Sequence, residues 1–200
     1  MAKIAQELLE ETLNLLGRYG EPVRSFLGDL EPMEERALEP AVLPCLRHLD
    51  ACAALAEGGA GEAIARLLAE RGQRLRWGQT YGRADFDARF LDNYGWMELF
   101  GERGHYASDR LACGVLLLGP HTHYPDHHHM AEEIYIPLTP GALWSKGGAA
   151  FEARAAGDLI HHPSMMPHAM RTRADPLLAL YLWRGGPLSA KSTVTGRADD

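Results

Sequence analysis

HTHYPDHHHMAEEIYIP, residues 121–137, holds five of the chain's ten histidines, followed at once by two glutamates and a tyrosine. Successive side chains of an extended chain point to opposite sides. His127 and His129 therefore project together, with His128 turned away. Glu133 and Tyr135 share one face of EEIYI, while Ile134 and Ile136 take the other. That alternation describes a strand with a chemical face and a packing face. Two imidazoles and a carboxylate on one surface are a donor set for one divalent transition metal, whether Zn, Fe, Mn or Ni.

Moving outward, the period-two pattern continues on both sides. WMELF, LACGVLLL, EEIYIPL, ALWSK, DLIHH, HAMRT and LLALYLW are short apolar runs, mostly separated by Gly, Pro, Asp or Asn. Short strands with frequent turns, and no helix-length segment between them, predict a sandwich or barrel. GDLIHHPSMMPHAMRT adds His161, His162 and His168, and its two halves are expected to pair as neighbouring strands about the turn from Pro163 to Pro167. His161 and His162 cannot both face inward; one of them is expected to orient a ligand from behind.

The first seventy-odd residues have the helical period instead. Ile4, Leu8, Leu9, Leu13 and Leu16 form one stripe, Val42, Leu46, Leu49 and Ala53 a second, and Ile64, Leu67 and Leu68 a third. Pro44 is tolerable only in a first turn, and Gly72 offers a stop. LEPMEERALEP links the first two. The helices are expected to cover an apolar face and to carry no catalytic group. The division is a helical extension over 1–76 followed by a β-barrel over 77–200.

Composition bounds the function. A net charge of −7 argues against a nucleic-acid partner, and the absence of a long apolar run argues against a membrane span. Acids within the first apolar stretch are not expected in a secretory leader. Cys45, Cys52 and Cys113 form no CxxC pair and are expected to be buried small hydrophobes, a usage that fits a cytoplasmic location. The oligomeric state is left open by the sequence, a homodimer being only a guess.

His127-x-His129-x3-Glu133, followed by Gly157-x5-Pro163-x4-His168, resembles the two metal-binding motifs of the cupin superfamily. The fold this implies is mainly β: a single-domain, jelly-roll-like cupin β-barrel with an N-terminal helical extension. The family's glycine before the first motif falls here on His121, that of its Pro-x-Gly on Met165, and a third comes one residue late at Gly141. YPDHHHMAEEIYIPL, GDLIHHPSMMPHAMRT and LLALYLWRG together are similar to bacterial cupin-type dimethylsulfoniopropionate lyases. The resemblance implies His129, Glu133 and His168 as metal ligands, with His127 beside or on the metal. It makes Tyr135 the catalytic base, and Tyr124 and Trp183 part of a substrate pocket.

The implied reaction is metal-dependent β-elimination of dimethyl sulfide from dimethylsulfoniopropionate, leaving acrylate. A cation is needed to offset carboxylate charge while the neighbouring proton is removed, and a phenol near that cation is easier to ionise. Aromatic faces suit the sulfonium, and Trp183, Tyr181 and Trp144 are the candidates. Two other readings share these residues: a cupin dioxygenase using non-haem iron, and a non-catalytic cupin that binds a cationic osmolyte. His121 and His123 read as loop histidines, Met165, Met166 and Met170 as packing, and Asp126 and Glu132 as solvated acids.

Overall fold

The computed structural model describes residues 2–31 and 33–195. Residues 1, 32 and 196–200 of the two expected segments lie outside that description. Helix α1 (Ala2–Leu16) carries the first apolar stripe, and a short α2 (Val23–Leu27) follows ahead of the expected link. The Pro44 segment opens as a 3-10 helix, Pro44–His48, with proline in its first turn, and continues as α3 (Leu49–Leu55). α4 (Glu62–Arg71) ends at Gly72 as its sequence predicts. A further short helix, α5 (Ala88–Asp92), interrupts the strand region, and the Asp87 side chain caps it by accepting the Phe90 N–H. No helix among the described residues is long and apolar enough to cross a membrane.

The strands are β1 (Glu34–Glu35), β2 (Trp77–Gly78), β3 (Tyr94–Gly101), β4 (Tyr106–Ala107) and β5 (Leu111–Leu118). They continue with β6 (His123–His128), β7 (Glu132–Pro137), β8 (Leu143–Lys146) and β9 (Glu152–Ala153). β10 (Ile160–His162), β11 (His168–Arg171), β12 (Leu177–Arg184) and β13 (Thr193–Val194) complete the set. The larger sheet runs β1-β4-β3-β5-β12-β7-β10, with β2 on β3; the smaller runs β13-β6-β11-β8-β9. Among the named strands the pairings are antiparallel except that of β3 with β4. The chain is thus mainly β, with two sheets packed against each other through a shared inner core, a jelly-roll-like arrangement.

One expected pairing is wrong. β10 does not pair with β11: it lies on β7 in the larger sheet, whereas β11 lies between β6 and β8 in the smaller one. The Pro163–Pro167 turn is anchored elsewhere. The Met165 N–H bonds to His129 O at 2.9 Å, and the Ser164 hydroxyl donates to Met130 O at 2.6 Å. The turn is a corner between sheets.

Two cores explain why β5 and β12 read as continuous apolar runs. On the outer face of the larger sheet, Val115, Leu117, Ile134, Ile136, Leu180 and Leu182 pack with Leu8, Leu16, Phe26, Leu49 and Leu68 of the helical segments. On its inner face, Leu116, Leu118, Tyr135, Ala179 and Tyr181 meet Tyr124, Trp144 and Met170 of the smaller sheet. The helices therefore cover the outer face, and the inner core opens into a pocket. Cys45, Cys52 and Cys113 are free and buried, and burial pushes the thiols of Cys45 and Cys52 up to about 12.

Candidate metal centre and pocket

Register brings the site together. On the larger sheet Glu133 lies between Trp183 and His162, and on the smaller one His168 lies between His127 and Lys146. His129 follows the end of β6, in the loop that enters β7. The Nε2 of His129 is 3.0 Å from Oε2 of Glu133, and that of His168 is 3.1 Å from the same oxygen. One donor atom from each of the three residues falls within 4.8 Å of the others, and all three residues are buried. His127 stands beside this group and is not part of it. Its ring lies 4.1 Å from that of His168 and stacks on Tyr124 at 3.8 Å.

The donor set fits a cation. Nδ1 of His129 donates to Ala131 O and Nδ1 of His168 to Met166 O, each at 2.9 Å. A carbonyl can only accept, so the Nδ1 protons are fixed and Nε2 is the atom turned to the centre. Burial favours a neutral Glu133, but His129 and His168 outweigh it and hold the carboxyl well below the usual carboxylate range. Burial likewise favours a neutral His129, yet the Glu133 charge raises its pKa. The buried Glu133 carboxylate thus favours a positive partner at this centre, and a divalent ion of the zinc type would supply one.

Tyr135 lines the same pocket as Glu133, and burial, followed by that carboxylate's charge, pushes its phenol well above the ordinary value. Trp183 lies 4.1 Å from the His129 ring and donates its indole N–H to Glu133 Oε1. Tyr124, Tyr135, Tyr181 and Trp183 line one pocket with His127 and Glu133. Trp144 lies 5.1 Å from the Tyr135 ring and packs behind it. His162 is the inward member of its pair. It stacks on His168 at 4.2 Å, and neither of its ring nitrogens has a hydrogen-bond partner among the described residues, so it supports the ligand through its ring face. His161 faces outward to Glu132, which Arg184 also binds at 2.8 Å; Glu132 is a bridged acid, not the solvated one its sequence suggested.

Several pocket residues escaped the sequence reading: Thr80, Tyr94, Trp96, Glu98 and Ser192. The signal for two of them was present. In YGWMELF, Trp96 and Glu98 alternate with Met97 and Leu99, which places an acid on the face of a buried strand.

Residues 24–179 match the family model described as dimethylsulfoniopropionate lyase. The dimethylsulfoniopropionate lyase DddQ of Ruegeria pomeroyi is 39% identical over 123 residues, covering 62% of this chain and 61% of that protein. The chain spans about three-fifths of the length of the curated relatives it matches. The crystal structure of DddQ from Ruegeria pomeroyi is similar with a TM-score of 0.83 at 32% identity, covering 98% of each chain. A structure described as one of the dimethylsulfoniopropionate lyases RdDddP and RnDddQII gives 0.88 at 28% identity, covering 97% of this chain and 98% of that one.

Proposed function

The chain belongs to the dimethylsulfoniopropionate lyase family, and on that premise we propose that it cleaves dimethylsulfoniopropionate to dimethyl sulfide and acrylate by a metal-dependent β-elimination. The observation that carries the reading is the buried His129–Glu133–His168 group with Tyr135 lining the same pocket as its carboxylate. His129, Glu133 and His168 would hold the ion, with His127 at its side. The ion supplies Lewis-acid stabilisation of charge on the substrate carboxylate and favours the ionised form of a nearby phenol. Tyr135 Oη takes the proton from the carbon next to the carboxylate. The electrons of that C–H bond form the double bond as the carbon–sulfur bond breaks, and the sulfur leaves with its pair as neutral dimethyl sulfide.

The remaining side chains orient and exclude. Tyr124, held by a 2.8 Å hydrogen bond to Tyr81, backs His127 and limits the pocket on that side. Trp183 and Tyr181 offer aromatic faces to the sulfonium, worth on the order of 1 kcal/mol at a partly desolvated site.

Headspace dimethyl sulfide from the purified protein, run with and without chelator, tests the proposal. Release should be lost on chelation and restored by one divalent metal. Tyr135→Phe should lower kcat by at least about a hundredfold, the range of a lost general base, with metal content unchanged. Full turnover without oxygen separates this reaction from a dioxygenase. A metal-loaded protein that binds the substrate intact for hours would instead be a binding cupin.

A further inference from the structure

The pocket wall carries a second charge that the elimination does not employ. Glu98 is 3% exposed. Burial raises the pKa of its carboxyl, opposed by the N–H and guanidinium of Arg103. A buried carboxylate is costly unless it is paired, and this one is incompletely paired. Oε1 accepts the Arg103 N–H at 2.6 Å, while Oε2 stands 3.7 Å from the Arg103 guanidinium, longer than the roughly 2.8 Å of a tight charge-assisted bond. Gly101, at φ +149°, makes room for it: a Cβ there would lie 2.5 Å from Oε1.

The same guanidinium lies 4.6 Å from the centroid of the Trp96 ring, and its side chain is 39% exposed. A cation is therefore already held between an aromatic face and a carboxylate on the pocket wall, on an arm free to move into solvent. The position is in line with the reacting groups. Glu98 pairs with Gly114, Gly114 with Tyr181, and Tyr181 with Tyr135, a row across four strands of the larger sheet. Gly114 has no side chain, so nothing on β5 stands between Glu98 and Tyr181, and the Tyr181 phenol feels the Glu98 charge.

We propose that Glu98 and Trp96 form a cation subsite, filled by Arg103 in the free protein and taken over by the sulfonium of bound substrate as Arg103 swings out. The assignment rests on the lyase reading, and it adds the group that selects for positive charge at the far end of the ligand. The aromatic faces alone discriminate against a neutral thioether only several-fold, because much of their contribution is apolar contact. A buried carboxylate discriminates more strongly.

The test is calorimetric binding to zinc-loaded protein of two probes that differ in that charge: 3-(trimethylammonio)propionate and 3-(methylthio)propionate. The wild type should prefer the cation. Glu98→Gln keeps an acceptor for the Arg103 N–H and should cut that preference at least about tenfold, the lower end for a close charge pair. Arg103→Ala should shift it the other way by vacating the subsite. A folded Glu98→Gln with unchanged preference overturns the proposal, and so does an Arg103→Ala that binds the cation less tightly. If Glu98→Gln does not fold, the sign of the Arg103→Ala change decides alone. Dimethyl sulfide release by the wild type keeps the two readings apart. Release without the preference shift overturns the subsite only, and the shift without release upholds the subsite and overturns the reaction.

Discussion

Trp183 and Glu133 show how one hydrogen bond serves two purposes. The indole N–H fixes Glu133 Oε1 and leaves Oε2 to face both imidazoles, while the indole ring packs on His129. Loss of a partner that orients a ligand typically costs about 10–100-fold in metal affinity. Trp183→Phe keeps the ring and removes the donor, so zinc affinity measured by competition with a chelator should fall by about tenfold or more. An unchanged affinity would mean that the two histidines hold the carboxylate unaided. His129 and Glu133 were legible as one donor surface from alternation, while His168 was one of three candidate histidines until the resemblance to the cupin motifs singled it out. Glu98 and Arg103 were not, since a lone acid in an apolar run gains meaning only from what lies beside it in space.

At the scale of the element, His121 and Met165 have φ of 52° and 63°, and Gly141 has 91°. These are the positions where the sequence departs from, or displaces, the cupin glycines. The loops keep their left-handed turns even where the glycine is lost, at a cost of about 1–2 kcal/mol for each non-glycine residue. Met165 is 50% exposed, so little packing is lost on its removal. Met165→Gly and His121→Gly should each stabilise the fold by about 0.5–1 kcal/mol after allowing for glycine's own entropy. Thermal melting would show this as a rise of a few degrees, and a fall would mean that the side chains hold their loops. β5, β7 and β12 were readable because their apolar runs are long. β6 was read as extended only at its His127–His128 end, because His123 and Asp126 look like a loop until the smaller sheet is assembled around them. The corner at Pro163–Pro167 was misread as a hairpin because its anchors, the backbone carbonyls of His129 and Met130, leave no trace in the side-chain pattern.

For the whole molecule, several histidines are buried in a way that favours the neutral ring. Burial lowers the pKa of His105, His127 and His162, the last to about 3. In the unfolded chain these rings titrate near 6.5. As pH falls through that value the unfolded state takes up protons that the folded state refuses, so stability is lost as the solution is acidified. The slope is on the order of 1 kcal/mol per pH unit for each ring. His129 acts in the opposite sense, since its folded pKa is raised. Melting of chelated protein between pH 7 and pH 4 should show a net fall in Tm, and a flat profile would contradict it. The helical segments show the same economy of surface. They share one core with the outer face of the larger sheet, so the helical period and the strand period in the sequence are two sides of a single interface.

Glu133 belongs to one sheet and His168 to the other, and the sheet that carries Glu133 is completed only when Leu118 finds Leu177 across the chain. Pairings between segments so distant in sequence form late and slowly. The ion's ligands come from both sheets, and the expectation is that they meet only once the two sheets have packed together, after the folding barrier. An interaction absent at the barrier slows escape from the native state and leaves the approach to it untouched. Stopped-flow experiments on zinc-loaded and chelated protein should give equal refolding rates and a slower unfolding limb for the loaded form. The metal would then govern how long each molecule lasts rather than how quickly it is made.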